Sequence, residues 1–363
     1  MKNNLCYSTV AQLLPVSKSS HFQQSISIKA NALLITPDPN EPISSQLEKT
    51  AINNLPKPSL LKNDLIQMYA GPSFNLVRAK NDNYCYGVRD PELAAVSVFM
   101  ALSKQMDLYL ELGLKRPKRP LSVVVNNPFV PDNAYFDAKH FEIHIGIGTG
   151  VSRGGLTKQI AFDLGVANHE FGHAIIFLQT GRADLPGKQG AAIHEGIADI
   201  LGTLVMDYLN RIWHGKRIGK PFTAQDLKDD QRIIGKYALP PYGIRTQKTK
   251  KKAPADMVGE PHSDGMIIGS AIADLLVEIA SQQGTDVEKQ LRLFVKIMLL
   301  ALALLPDWQI TFADLLDTII IADRRICAGK HRSIIEQCFA THGITSNTIK
   351  TISLIEWALG LTN

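Results

Sequence analysis

The amino-acid sequence predicts an α+β protein with a mixed, β-rich N-terminal lobe and an α-helical C-terminal lobe. Three observations support this class. Apolar residues recur at helical spacing up to Gly113, apolar and polar residues alternate over 134–150, and helical patterns follow one another beyond Thr157 with Gly or Pro at the joints. We place the division between the lobes at residue 180.

Residues 1–80 are expected to form a loosely ordered lead segment or short pro-region. Ser, Asn, Gln, Pro and Lys mix there with little periodicity. The first twenty residues have a poor hydrophobic region and no clean cleavage site, so Sec export is not supported. A cytoplasmic protein and one exported by another route both stay open, and so does the oligomeric state.

The elements of the two lobes follow in chain order. Residues 81–180 are predicted to contain a helix that ends at Gly113, a strand over 120–127 and a second strand or hairpin over 134–150. Residues 181–363 are predicted to be the helical lobe. Beyond Thr157 the helical patterns cover roughly 157–180, 190–213, 264–282, 287–305, 311–328 and 331–341.

Composition excludes several classes of protein. The 363 residues are 45% hydrophobic and 20% charged, as in ordinary globular chains with a sizeable core. The net charge of +5 is mild and dispersed, so no nucleic-acid partner is expected. The apolar run 297–306 is about half of a membrane span, which predicts a buried helix and no membrane partner.

The four cysteines exclude a disulfide scaffold, and no C-x-x-C pair indicates a zinc ribbon or a redox site. Cys6 and Cys85 lie far apart in the chain. Cys327 and Cys338 could be bridged in an oxidising compartment, but we favour buried free thiols.

The segment GVANHEFGHAI contains an H-E-x-x-H motif formed by His169, Glu170 and His173. Residues four apart share one helical face, so both imidazoles can reach a single metal ion. Glu170 can then contact a water bound to that ion. The alternative is a helix with two surface or core histidines, and the motif alone does not exclude it.

A second acidic motif, HEGIADILGTLV, begins 21 residues after the His173 position and contains Glu195 and Asp199. Catalytic zinc takes three protein ligands and leaves one position to water, and two His plus one Glu is an established set. Asp199 fits the role of a carboxylate that orients a metal-bound imidazole. We interpret His194 as a helix-start residue, because a fourth protein ligand would close the catalytic position.

Together, HEFGHA and HEGIADILGTLV resemble the zinc helix and the glutamate helix of the thermolysin-like zinc metallopeptidases, a family of gluzincins. The resemblance runs from about residue 85 to 345. It implies a two-lobed fold with the zinc cleft between the lobes. It also implies one zinc ion held by His169, His173 and Glu195, with Asp199 orienting the first histidine.

The resemblance also implies contacts to a peptide substrate. DNAYFDAKHFEIHIG is similar to the family's edge strand, which makes Asn133 and Ala134 candidate contacts to the substrate backbone. Ile244 and Arg245 resemble the pair that lines the pocket after the cleaved bond. Together with Val166, Ile244 predicts a preference for bulky apolar side chains there.

The segment ADMVGEPHSDGMIIGSAIADLL resembles the one that carries the family's transition-state histidine. This position maps to His262, with Asp256 as its expected carboxylate partner. Two features depart from the family. The oxyanion tyrosine is missing; Tyr242 could substitute for it, but we favour a core or surface position for this residue. The acids of the calcium site are not evident, so calcium is not predicted.

The function expected from these residues is zinc-dependent endopeptidase activity on a protein or peptide, with Glu170 as general base. Two alternatives keep the zinc: a non-peptidase or binding module with lost activity, and a protease specialised for one partner protein. A metal-free structural protein is the third. The lysine-rich residues 246–252 predict either a solvated loop or a rim that favours acidic substrates.

Overall fold

The computed structural model describes residues 28–35, 47–55, 60–79, 83–84, 86, 90–151, 157–235, 243–282 and 286–347. The chain divides into two compact units, Met1–Met106 with Pro117–Ala167 and Asp107–Arg116 with Asn168–Asn363. Most strands lie in the first unit and most helices in the second, so the α+β class is confirmed. The division falls at Asn168 rather than at 180, so the H-E-x-x-H residues belong to the helical unit.

The first unit contains a six-stranded mixed sheet and a separate three-stranded sheet. The second unit contains one short hairpin. In chain order the strands are β1 (Ile28–Ile35), β2 (Leu47–Leu55), β3 (Ile66–Ala70), β4 (Asn75–Leu76), β5 (Asn83–Tyr84), β6 (Leu121–Asn127), β7 (Ala134–Asp137), β8 (Glu142–Val151), β9 (Thr157–Gln159), β10 (Ile233–Ile234) and β11 (Arg245–Thr246).

The large sheet has the order β4-β3-β6-β8-β7, with β9 paired to β8. All seven residues of β6 are buried, as expected for a central strand covered on both faces. β6 confirms the strand expected over 120–127. The hairpin expected over 134–150 is confirmed as well, because β7 pairs antiparallel with β8 at one end of the sheet. β7 is therefore an outer strand.

Part of the expected lead segment is ordered. β3 pairs in parallel with β6, from Ile66 opposite Leu121 to Ala70 opposite Val125. The expectation of loose order up to residue 80 is therefore wrong for β3. The residues of β3 alternate between buried and half-buried, as in a strand with one face toward the core. Five residues between polar stretches are too few to give a clear alternation in the sequence.

The helices predicted from the sequence are present, although Thr157–Gln159 form β9 and the helix expected from residue 157 begins only at Leu164. The helix expected at 190–213 is a longer run in which a π-helical segment separates α3 from α4. The helices are α1 (Pro91–Glu111), α2 (Leu164–Thr180), α3 (Lys188–Ile197), the π-helical segment (Ala198–Leu204), α4 (Val205–Arg217), α5 (Ala224–Asp229), α6 (Pro261–Ala280), α7 (Val287–Ala303), α8 (Phe312–Cys327) and α9 (Arg332–Thr341).

Buried apolar helices form the core of the second unit. α6 buries residues on nearly all sides, including Ile268 and Leu276, as a helix at the centre of a bundle does. The apolar run that begins at Ile297 lies largely in α7 and is mostly buried, as predicted. α1 is long and apolar enough to span a membrane, but 67% of that stretch is buried within the protein. Both described cysteines, Cys327 and Cys338, are free thiols.

A buried pair joins α8 to α9. The His331 ring Nδ1 lies 2.7 Å from Asp323 Oδ1, and the His331 backbone N–H donates to Asp323 Oδ2 at 3.0 Å. The exposed fractions of Asp323 and His331 are 0% and 1%. The pair therefore closes the turn between the two helices without help from solvent.

We expect Asp323→Ala to lower the free energy of unfolding by about 3 kcal/mol, because it leaves the buried His331 ring without its partner. Urea denaturation followed by circular dichroism measures this. Glu336→Ala is the matched control, since Glu336 forms an exposed ion pair with Arg332 in α9 and should cost less than about 1 kcal/mol. Equal effects of the two substitutions would contradict the assigned role of Asp323.

Candidate metal centre

Close helix packing brings the two sequence motifs together. A Cβ added at Gly172 of α2 would lie 2.6 Å from the Ala198 Cα, and one at Gly202 would lie 2.1 Å from the Asn168 carbonyl oxygen. No real Cβ fits at such distances. Gly172 and Gly202 therefore allow α2 and the π-helical segment to touch backbone to backbone, which sets the H-E-x-x-H face against the second motif.

A second pair of glycines brings α6 to the same place. A Cβ at Gly265 would lie 3.0 Å from the Glu195 Cβ, and one at Gly196 would lie 2.8 Å from the Gly265 carbonyl oxygen. α3 and α6 therefore pack closely beside Glu195. This contact positions the first turn of α6, which carries His262, next to the motif residues.

Gly202→Ala is expected to force α2 away from the π-helical segment. We expect a loss of about 1–3 kcal/mol in unfolding free energy, as for other overpacked cores. Affinity for a metal at His169, His173 and Glu195 should fall as well, because the two histidines lie on α2 and Glu195 lies on α3, which runs directly into the π-helical segment. Urea denaturation and zinc titration of the same protein test both effects, and an unchanged zinc affinity would contradict the packing argument.

His169, His173 and Glu195 form a group that could hold a metal ion. The two imidazole Nε2 atoms are 3.1 Å apart. Glu195 Oε2 lies 3.3 Å from the His169 Nε2 atom, and Glu195 Oε1 lies 3.6 Å from the His173 Nε2 atom. Ligands about 2.05 Å from a tetrahedral ion are separated by about 3.3 Å. The separations between the imidazole nitrogens and the carboxylate oxygens are close to this value, so the group fits such an ion.

Asp199 lies behind the first histidine. Its Oδ1 is 2.8 Å from the His169 Nδ1, which leaves the Nε2 lone pair of the ring directed at the metal group. Arg245 approaches the same carboxylate with two nitrogens, Nε at 2.6 Å from Oδ2 and Nη2 at 2.8 Å from Oδ1. Asp199 is 1% exposed, so this cluster is screened from water.

Burial and neighbouring charges shift the pKa values of the histidines and carboxylates in this cluster. Burial alone would lower the pKa of His169, but the Asp199 carboxylate beside it raises this pKa overall. Burial would raise the pKa values of Asp199 and Glu195, but the adjacent His169 lowers both. Burial, then the charge of His169, lowers the pKa of His173. The carboxylates are therefore ionised at neutral pH, as metal ligation requires, and a bound metal ion would take the place of the proton that the raised pKa keeps on the His169 ring.

Glu170 and His194 line the same region. Glu170 is 6% exposed and acts electrostatically on both His169 and Arg245. The His194 ring stacks on the His173 ring at 4.5 Å between centroids, inclined by 12°. His194 lies within α3 rather than at its start, so its interpretation as a helix-start residue is wrong. The described contacts give His194 a packing position beside His173.

His262 is brought to the metal group, but its expected partner is not. The His262 Nε2 atom lies 3.3 Å from Glu195 Oε2, and its Nδ1 atom lies 2.8 Å from Glu260 Oε1. Asp256 instead accepts a hydrogen bond from the Lys252 backbone at 2.8 Å. The expectation that Asp256 pairs with His262 is therefore wrong. Glu260 takes the place because it caps α6 and its side chain folds back over the first turn.

The remaining predicted substrate contacts are distributed over both units. Asn133 is exposed, and Ala134 begins the outer strand β7. Val166 is half-buried in the first turn of α2, and Ile244 is 44% exposed beside Arg245. Tyr242 lies outside the described residues. The Arg245 side chain donates two hydrogen bonds to Asp199, so its observed partner is that carboxylate.

The lysine-rich loop is partly tied to the protein. The Lys251 Nζ donates to the Ser263 hydroxyl at 3.1 Å, one residue after His262. The Lys248 Nζ donates to backbone carbonyls of Lys228 and Asp230. The loop therefore runs beside the first turn of α6.

Two residues near the site escaped the sequence analysis. Gln247 donates to Asp199 from two positions beyond Arg245, and residues two apart share one face of an extended segment. Glu260 precedes Pro261, and a proline at the first helical position marks the preceding residue as the cap. Both signals were present, but polar residues at such positions are common at protein surfaces.

Within the described ranges, Asp323, Cys327 and His331 form the other group that could hold a metal ion. Both Asp323 oxygens already face His331, and burial followed by the charge of Asp323 raises the pKa of the Cys327 thiol to about 11. A protonated thiol is a poor ligand. This group therefore fits the helix-joining role better than a metal site.

Neither a protein-family model nor a curated protein sequence matches the chain.

Proposed function

We propose that the protein is a zinc-dependent endopeptidase with a thermolysin-like fold. One observation carries the proposal: two imidazoles and a carboxylate converge at the spacing of a tetrahedral ion, and Glu170 lies between the two histidines on the same buried helix. A purely structural metal site would not need Glu170, and a catalytic one does. Three protein ligands also leave the fourth position to water.

The donor set indicates the metal. Two neutral imidazoles and one carboxylate are typical of zinc in hydrolytic enzymes, whereas calcium and magnesium prefer oxygen ligands alone. His169, His173 and Glu195 would hold the ion, and Asp199 would orient His169. When bound, zinc supplies a Lewis acid and lowers the pKa of a coordinated water toward about 7.

The chain's own residues would handle the protons and the developing charge. Glu170 would accept a proton from the attacking water on its carboxylate and deliver it to the leaving amine nitrogen. His262 would donate a hydrogen bond from Nε2 to the oxyanion of the tetrahedral intermediate, as oxyanion-hole donors do. Glu260, whose pKa the hydrogen bond from His262 lowers, would hold that ring in place.

Cleavage of a quenched-fluorescence peptide library tests the proposal. The purified protein should cleave peptides internally, lose this activity after dialysis against a chelator and regain it when zinc is added. Sequencing of the products tests the predicted preference for bulky apolar residues after the cleaved bond. Bound zinc without cleavage of any library member would instead favour the binding-module or single-partner interpretation.

A further inference from the structure

Gln247 is a fully buried amide at the metal site. It follows β11 and is 0% exposed. Its side-chain Nε2 donates to Asp199 Oδ2 at 2.5 Å, and its backbone N–H donates to the Arg232 carbonyl at 2.9 Å. Both the main chain and the side chain of Gln247 are therefore fixed.

The orientation of this amide follows from its partner. An ionised carboxylate only accepts hydrogen bonds, so the NH₂ group of Gln247 faces Asp199 and the oxygen faces away. The Oε1 atom is buried and has no hydrogen-bond partner. It lies against α6, where a Cβ on Gly269 would be 2.1 Å from it.

An unpaired buried oxygen is unfavourable for the fold. An apolar side chain of the same length, such as methionine, would fill this space without that penalty. Gln247 is therefore poorly explained by packing alone. The advantage of an amide over an apolar side chain at this position is its hydrogen bond to Asp199.

Arg245 shows why Asp199 needs this bond. Its Nη2 atom lies 2.8 Å from Asp199 Oδ1 but also 3.7 Å from Glu195 Oε2 and 3.2 Å from the His169 Nδ1. If Asp199 turned, Arg245 could move toward the carboxylate of a metal ligand. Gln247 shares Oδ2 with the Arg245 Nε atom and so opposes that rotation.

We propose that Gln247 is a positioning residue of the metal site: it holds Asp199 Oδ2 so that Oδ1 stays on the His169 Nδ1. This inference rests on the metal binding of the proposed function. Gly269 contributes to this positioning, because the absence of a side chain there leaves the space in which the Gln247 oxygen lies.

The test is the zinc dissociation constant, measured by chelator competition on the full chain, with the melting temperature of the metal-free protein recorded alongside. Gln247→Met should raise the constant about 10-fold or more, in the range found for residues that support metal ligands. Gln179→Met is the matched control, because Gln179 is also a buried amide, donating to the Leu299 carbonyl in the same unit. It should leave the constant within about 2-fold of the parent, well below that range.

Gly269→Ala disturbs the same amide in a different way. If Gln247→Met does not fold, Gly269→Ala tests whether Gln247 supports zinc binding. It should weaken zinc binding in the parent and have no further effect in a Gln247→Ala background, because both changes act through one amide. Wild-type zinc affinity in Gln247→Met would overturn the inference and leave the proposed function intact. Absence of zinc from the parent protein would overturn both.

Discussion

Glu170→Gln is expected to leave the zinc content unchanged and to lower peptidase turnover by about 1,000-fold, within the range for a lost general base. Glutamine has the same shape and fits the buried position in α2, where Glu170 is 6% exposed. Its amide cannot accept a proton from water. Turnover on a quenched peptide, with elemental analysis of the same samples, measures the two effects together.

Glu336→Gln is the control for this substitution, because it makes the same chemical change at an exposed position in α9. It should retain both zinc and turnover. Peptidase activity near the wild-type level in the Glu170→Gln protein would show that Glu170 is not the base, and the proposed mechanism would fail with it.

His173→Ala is expected to abolish stable zinc binding and, with it, turnover. It removes one of three ligands, so the loss of affinity should exceed the 10- to 100-fold that is typical of outer residues such as Asp199. Isothermal titration of the metal-free protein with zinc measures the affinity. Circular dichroism of the variant checks that the total helix content is retained.

His214→Ala is the matched control, since His214 is an exposed histidine in α4 of the same unit. Zinc affinity should not change there. If His173→Ala bound zinc as tightly as the wild type, the metal would have to lie elsewhere in the chain.

Most of the predictions about the metal group followed from the spacing of its residues along the sequence. The four-residue spacing of His169 and His173 fixes one helical face, and the same spacing relates Glu195 to Asp199. A helix therefore presents each pair together before any tertiary contact forms. The close approach of the two motifs depends on Gly172 and Gly202, which a sequence shows only as small residues.

A local helix cap and two long-range contacts account for what the sequence did not predict. His262 takes Glu260 rather than Asp256 because the cap of α6 folds back over its first turn. Gln247 reaches Asp199 across 48 positions of sequence, and periodicity carries no information at that range. β3 is a short strand whose partner β6 lies more than fifty residues later, so its role became visible only through the sheet.

X-ray absorption spectroscopy at the zinc edge of the purified, zinc-loaded protein shows which atoms bind the metal. If His169, His173 and Glu195 are the ligands, only nitrogen and oxygen atoms should lie about 2.0–2.1 Å from the zinc, and the more distant scattering should be that of two imidazoles. His173→Ala should remove this signal. A sulfur atom at about 2.3 Å would show that a cysteine binds the metal, as in the group formed by Asp323, Cys327 and His331, and would contradict its assignment to His169, His173 and Glu195.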